Sequence, residues 1–215
     1  MAHPPAELDA AAALRSARRL YSAREIDRAI KRMAADIELR LAGKNPIVLA
    51  VMHGGVFAAV ELCRHFKFAH EFDYVHVTRY RGAIAGADVE WRVRPSARLE
   101  GRTVLVVDDI LDRGHTLEAL TAELRRVGVA EQLTAVLVEK RLAACERRPR
   151  VDFAGVEIED VYAFGCGMDY RGQWRGLRAL YALDESAPRK TTPRKTTPRK
   201  TSKPSPRTKR RSARR

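Results

Sequence analysis

The sequence predicts an α/β fold, a twisted and mostly parallel sheet flanked by helices. Three observations carry this prediction. Short apolar, partly β-branched runs at residues 47–52, 103–107 and 133–138 read as buried strands. Stretches of helical periodicity lie between them, and strands alternating with helices imply βαβ units with right-handed crossovers. The chain has 215 residues and a hydrophobic fraction of 45%, enough for one domain with a real core.

Taken in order, residues 1–20 are Ala-rich and read as a partly helical segment with a frayed start. Ser22 and Glu25 have the spacing of a capping box, and Ile26, Ile30, Met33, Ile37 and Leu41 follow at helical intervals up to a stop at Gly43. A strand over 47–52 leads through a His53-Gly54-Gly55 turn into a helix over 56–66. Residues 74–80 read as a second strand, 81–88 as a mobile loop containing Gly82 and Gly86, and 91–93 as a short return strand. The strand over 103–107 precedes a helix over 116–127 that Gly128 ends, and 133–138 is the next strand. Strands over 161–164 and 180–182 complete the set.

The net charge of +14 belongs to one end of the chain. Beyond Glu185 there are five Lys, eight Arg and no acidic residue; removing those thirteen from the 41 basic residues leaves 28 against 27 acidic ones. The body is nearly neutral, so the high pI is no argument for nucleic-acid binding by the folded part. In the tail the five-residue unit PRKTT at 188–192 recurs at 193–197, and with a Ser variation at 198–202. Proline at that spacing forbids a continuous helix, and so charged a segment buries too little to fold. Residues 186–215 are therefore expected to be a disordered basic tail, after a domain over 21–185. Cys63, Cys145 and Cys166 match no CxxC or zinc spacing and read as reduced thiols. There is no basic-then-apolar signal segment, and no apolar run long enough to span a membrane. The expected setting is the cytoplasm, without membrane contact.

The chemistry concentrates in VLVVDDILDRGHTL at residues 104–117. A buried strand runs into Asp108, Asp109 and Asp112, then a short loop with Gly114, then a helix. In parallel sheets ligands bind beyond the carboxyl ends of the strands. The loop from Asp112 to Thr116 can turn successive N–H groups inward. With the Thr116 hydroxyl and the helix N-terminus it would cradle a phosphate monoester. Asp108 and Asp109 could accept from a ribose diol and help to hold Mg²⁺, a hard cation that favours oxygen. A sugar phosphate with vicinal hydroxyls and a magnesium-bound pyrophosphate would use all of these groups. Residue by residue, an acidic turn capping a helix explains the carboxylates too. Neither GxxxxGK[ST] nor GxGxxG occurs.

The segment resembles the phosphoribosyl-pyrophosphate motif of type I phosphoribosyltransferases, and residues from about 20 to 184 resemble the hypoxanthine-guanine phosphoribosyltransferase family. The resemblance implies the type I fold with a small hood segment. It also implies transfer of the phosphoribosyl group from phosphoribosyl pyrophosphate to N9 of a 6-oxopurine (hypoxanthine and/or guanine), with Mg²⁺. Asp108 and Asp109 match the pair that contacts the ribose. Asp112 matches the carboxylate proposed as general acid or base at purine N7. Asp112, Arg113, Gly114, His115 and Thr116 match the 5′-phosphate loop. Lys140, placed just past the strand over 133–138, matches the donor to the exocyclic O6. By itself it reads as a lysine snorkelling to solvent, with Glu139 as a competing partner.

In VYAFGCGMDY at 161–170, Tyr162 would stack on the base and backbone near Ala163 would read its edge. Asp169 would help to hold the pyrophosphate magnesium, and Arg175 would clamp pyrophosphate. Gly54 and Gly55 match the first pyrophosphate loop, where a cis peptide at Met52–His53 is in prospect and His53 stands where the family often has lysine. Tyr80 matches the lid tyrosine, although Arg79 precedes it where the family often has serine. The resemblance further implies a homo-oligomer, dimer or tetramer. Two other classes stay open: a non-catalytic sensor of phosphoribosyl pyrophosphate or nucleotides, and a protein tethered to nucleic acid through the basic tail. For the tail, weak nucleic-acid contact and a solvated appendage stand level.

Overall fold

Capping chemistry starts both N-terminal helices. In the computed structural model, which describes residues 9–79, 89–142 and 148–183, Asp9 caps α1 (Ala10–Ser16) by accepting from Ala12 N at 2.7 Å. β1 (Arg18–Tyr21) follows, and Ser22 then opens α2 (Ala23–Leu41). The capping box is complete: Glu25 N donates to Ser22 Oγ, and Ser22 N donates back to the Glu25 carboxylate at 2.8 Å. The hydrogen bonds from Ser22 hold that carboxylate ionised by lowering its proton affinity.

β2 (Ile47–Val51), α3 (Gly55–Cys63), β3 (Glu71–Arg79), β4 (Val89–Val93), β5 (Thr103–Leu111), α4 (His115–Val127), β6 (Glu131–Arg141) and β7 (Phe153–Glu159) build the main sheet and its cover. The strand order is β4-β3-β2-β5-β6-β7, parallel throughout except for the antiparallel β3–β4 pair. Two short strands, β8 (Ala163–Phe164) and β9 (Leu180–Ala182), join β1 in an antiparallel sheet of order β1-β9-β8, the hood. The described residues all lie in the compact unit Met1–Glu185.

The sheet carries a core on each face. Ile26, Ile30, Met33, Ile37 and Leu41 of α2 pack with Leu105 and Val107 of β5 on one side. Leu117, Leu120 and Leu124 of α4 pack with Val104 and Val106 on the other. The alternation along β5 is the period-2 rule of a strand covered on both faces. Burying each of those α2 side chains contributes about 1.5–3 kcal/mol, so packing rather than helix propensity holds α2 in place.

Several expected bounds shift. β1 and β7 were not anticipated from the sequence. β5 continues past Val107 to Leu111, because its backbone keeps pairing with β6 (Asp108 with Val136, Leu111 with Glu139) whatever the side chains are. β6 likewise runs to Arg141, so Lys140 sits inside the strand, paired with Ile158 of β7, and not just past its end. It is buried, which corrects the reading of a lysine snorkelling to solvent. The tail and Tyr80 lie outside the described residues.

Candidate active site

β5 is central, so its carboxyl end delivers residues to the middle of the sheet edge. Asp108 and Asp109 lie near the carboxyl end of that strand, and Asp112, Arg113 and Gly114 bridge it to α4. Gly114 stands at φ +84°, and a Cβ there would lie 2.3 Å from Pro149 Cδ. The loop can therefore turn only on a glycine, under the proline of the 148–150 segment. Glu118 N donates to Gly114 O at 2.9 Å, closing the first turn of α4 behind the loop.

Two glycine-bearing segments close around Asp109. A Cβ on Gly54 would fall 1.7 Å from Asp109 Oδ2, and one on Gly167 would fall 2.2 Å from Gly54 O and 3.2 Å from Asp109 Cβ. Gly55 is pressed on the β5 backbone, its Cβ position only 2.4 Å from Val107 O. The Met52–His53 peptide before these glycines is cis. The His53 ring meets His76 of β3 edge-on, centroids 4.5 Å apart.

Burial pushes the Asp108 carboxyl well above the usual carboxylate range, and the charge of Asp109 adds to the effect. Burial raises Asp109 as well, opposed by the Arg175 guanidinium. Two carboxylates kept dry side by side call for a cationic or hydroxyl-bearing ligand. Across the cleft, Asp169 accepts from Arg175 Nη2 at 2.5 Å and from Gly172 N at 2.6 Å. Arg175 Nη1 donates to Gly167 O at 2.8 Å, fixing one end of the guanidinium fork.

These residues enclose a cleft of about 190 Å³ lined by Gly54, Asp108, Asp109, Asp112, Arg113, Gly114, His115, Thr116, Asp169 and Arg175. A second cavity of about 80 Å³ adjoins it, lined by Lys140, Tyr162, Ala163 and Met168, with Asp109, Ile110, Asp112 and Asp169 shared between the two. The first compartment is polar and suits phosphate and sugar. The second is more apolar, with the Tyr162 ring in its wall, and suits a base. Asp112 stands at their junction.

The Lys140 ammonium is 3% exposed and lies 2.9 Å from Asp160 Oδ1 and 3.6 Å from Asp112 Oδ1. Glu139 is not its partner: it points to the other side of the strand, where Arg148 Nη2 meets it at 2.5 Å. Arg148 Nη1 also donates to Lys140 O at 2.6 Å, tying the 148–150 segment to the end of β6. Tyr162 is half-buried, and its hydroxyl donates to Asp169 O at 2.8 Å. Burial raises that phenol further from ionisation.

Every expected site residue that is described meets at this edge; Gly55 alone supports the cleft from behind. Asp160, Arg148, Pro149, Gly167, Ile110 and Met168 belong to the same edge and were not anticipated. For Asp160, the signal in the sequence was its place two residues before Tyr162.

The phosphoribosyl transferase domain family model matches residues 16–171. The hypoxanthine-guanine-xanthine phosphoribosyltransferase of Tritrichomonas foetus is 30% identical over 167 residues, 78% of this chain and 91% of that protein. The hypoxanthine-guanine phosphoribosyltransferase of Streptococcus pneumoniae is 31% identical over 170 residues, 77% of this chain and 92% of that protein. A solved hypoxanthine-guanine-xanthine phosphoribosyltransferase superposes with a TM-score of 0.71 at 28% identity, covering 78% of this chain and 97% of the other.

Proposed function

The chain belongs to the phosphoribosyl transferase domain family, and we propose that it is a hypoxanthine-guanine phosphoribosyltransferase acting in purine salvage. It transfers the 5-phosphoribosyl group of phosphoribosyl pyrophosphate to a 6-oxopurine, giving the nucleotide and pyrophosphate. The observation that carries this is the pair of adjoining compartments with Asp112 between them, phosphate and sugar groups on one side and Lys140 with Tyr162 on the other.

In this reading the residues 112–116 bind the 5′-phosphate through N–H groups, the Thr116 hydroxyl and the start of α4. Asp108 and Asp109 accept from the ribose hydroxyls. The backbone of Gly54 and the Arg175 guanidinium hold pyrophosphate. Tyr162 stacks on the base, backbone near Ala163 reads its edge, and Lys140 donates to O6. As N9 bonds to C1′, the bond from C1′ to the pyrophosphate oxygen breaks, and the Asp112 carboxylate accepts the proton that N7 gives up. Such help is worth about 10²–10⁴ in rate. The tyrosine assigned to the lid, Tyr80, directly precedes residues 81–88, the loop that would exclude water.

The donor set fits Mg²⁺. Carboxylate oxygens of Asp169, Asp108 and Asp109 face the cleft, and magnesium is held by one or two carboxylates plus phosphate oxygens more often than by a protein cage. The chemistry the bound ion supplies is neutralisation of the charge on the leaving pyrophosphate.

The partner reading has two parts. Phe72 and Tyr74, side by side on one face of β3 and 48% and 43% exposed, favour a homo-oligomer, dimer or tetramer. Sedimentation of the wild type against Phe72→Glu tests it, a monomeric wild type counting against it. The thirteen cations beyond Glu185 would give weak, salt-sensitive contact with nucleic acid. No helix among the described residues is long and apolar enough to cross a membrane. Cys63 and Cys166 are free thiols, which suits the reducing cytoplasm.

The test is a spectrophotometric assay with phosphoribosyl pyrophosphate and Mg²⁺, offering hypoxanthine, guanine, xanthine and adenine separately, beside Asp112→Ala. Turnover of a 6-oxopurine, lost in the variant, is the expected result. Binding of phosphoribosyl pyrophosphate without turnover of any base would instead identify a sensor.

A further inference from the structure

Asp160 does not line either compartment, yet it holds the side chain on which base selection depends. An ammonium has three donors and no acceptor, and buried it needs charged partners. Lys140 finds two, and they are unequal. Asp160 Oδ1 is at hydrogen-bond distance, 2.9 Å, while Asp112 Oδ1 is at ion-pair range only, 3.6 Å. The carboxylate that takes the bond is 46% exposed, and the one left at range is 7% exposed. The lysine backbone is fixed independently, by pairing with Ile158 and by the Arg148 bond to its carbonyl. The ammonium can therefore move only by rotation of its own stem, between two carboxylates.

We propose that Asp160 is a positioning residue for base specificity: it draws the Lys140 ammonium off Asp112 and keeps it at the wall of the base compartment, where it selects a 6-oxo over a 6-amino group. This rests on the function proposed above. Held by Asp160, Lys140 presents its remaining donors to the compartment, and Asp112 stays at the junction, at ion-pair range from the ammonium. With Asp160 neutralised, Asp112 becomes the nearest carboxylate to Lys140 among the described residues. The ammonium then turns toward it, and the O6 donor and the group at N7 satisfy each other instead of the base. Asp160 is itself held ionised by the Lys140 hydrogen bond, which lowers its proton affinity.

The experiment compares wild type, Asp160→Asn, which conserves volume, and Asp160→Glu, which conserves charge. The readouts are affinities for the 6-oxopurine nucleotide IMP and the 6-aminopurine nucleotide AMP, and KM for base and for phosphoribosyl pyrophosphate. In Asp160→Asn, IMP binding weakens about tenfold, about 1.4 kcal/mol, while AMP binding changes less than about twofold. KM for the base rises and KM for phosphoribosyl pyrophosphate does not. Asp160→Glu restores most of the IMP preference. Parallel loss of IMP and AMP binding, or a KM for phosphoribosyl pyrophosphate rising in step with that of the base, would overturn the proposal and make Asp160 merely structural. Wild-type turnover and wild-type preference judge the enzyme reading, and the ratio of variant to wild type judges this one.

Discussion

Gly54→Ala separates the integrity of the fold from that of the site. Gly54 has φ −66° and ψ −45°, a conformation alanine adopts freely, so the substitution costs nothing in the backbone. Its cost is contact. The new Cβ would lie 1.7 Å from Asp109 Oδ2 and 2.3 Å from Cγ. Real Cβ contacts do not fall below 3.0 Å, so the oxygen must retreat by at least about 1.3 Å, the difference of those two distances. The obstacle is the end of a side chain and not a main-chain atom, so the sheet stays as it is while the carboxylate turns away. A displacement near 1 Å in a catalytic array costs about 10² in rate, or about 2.7 kcal/mol of barrier. We expect kcat/KM for phosphoribosyl pyrophosphate to fall about a hundredfold while the melting temperature moves by no more than about 2–4 °C, the equivalent of about 1 kcal/mol. A double-mutant cycle with Asp109→Ala completes the assay, because the double variant should be no worse than Asp109→Ala alone. Activity of Gly54→Ala within about threefold of wild type, or strictly additive losses in the cycle, would refute the argument that Gly54 exists to make room for Asp109.

Three further outcomes follow from charges on the page. Asp108 has its proton affinity raised by burial, so the folded chain holds a proton there that the unfolded chain has already lost, and stability falls as pH rises from about 3.9 through the raised value. Asp108→Asn keeps the acceptor for Asp109 N, and thermal melts without ligand should show it more stable than wild type at pH 8, by about 2–4 °C per kcal/mol gained, with the gain vanishing toward pH 4. Glu123 behaves oppositely: hydrogen bonds from Arg126 and then Arg94 bring its carboxyl down to about 2, so it stabilises above the unfolded value of about 4.3 and the benefit drains away as pH falls toward 2. Urea melts of Glu123→Gln should show a loss of about 1–2 kcal/mol at pH 7 that narrows between pH 5 and pH 3; an equal loss at both ends would point to packing instead. A chain ending at Glu185 should keep kcat/KM within about twofold of the full chain and lose any salt-sensitive retention on nucleic acid, read by activity and by binding in a salt series; loss of activity would move the domain boundary.

Elements whose side chains alternate with their burial were legible in the sequence: the Ile and Met ladder of α2, the apolar run of β2, the carboxylate string after β5. What escaped notice did so for physical reasons. β7 carries Gly155, Glu157 and Glu159, and reads as a loop; its glycine is there because a Cβ would lie 2.5 Å from Leu137 O and 2.9 Å from Met33 Sδ. β1 begins with two arginines, and only its pairing with β9, far along the chain, makes it a strand. The last residues of β5 and β6 are polar, so pattern ends each strand early, although ladder hydrogen bonds join backbones and ignore side chains. Within the site, Asp108, Asp109, Asp112 and Gly114 stand in one contiguous string and could be read together. Asp160 acts on a lysine twenty residues earlier, and only the register of β6 against β7 brings them together.

The hood sheet joins Arg18 to Ala182 and Ala163 to Ala182, so its strands come from both ends of the domain. That bears on the order in which the enzyme is made. The loop over 112–116 and the Asp108–Asp109 pair belong to β5 and the start of α4, complete once residue 127 has emerged, whereas Asp169 and Arg175 come later and the sheet that backs Tyr162 needs residues 180–182 and the largest loop closure in the paired strands. A nascent chain thus carries the loop for the sugar's phosphate well before it carries the groups for pyrophosphate and base, and β9, paired with both β1 and β8, closes the hood only after all of them have been made.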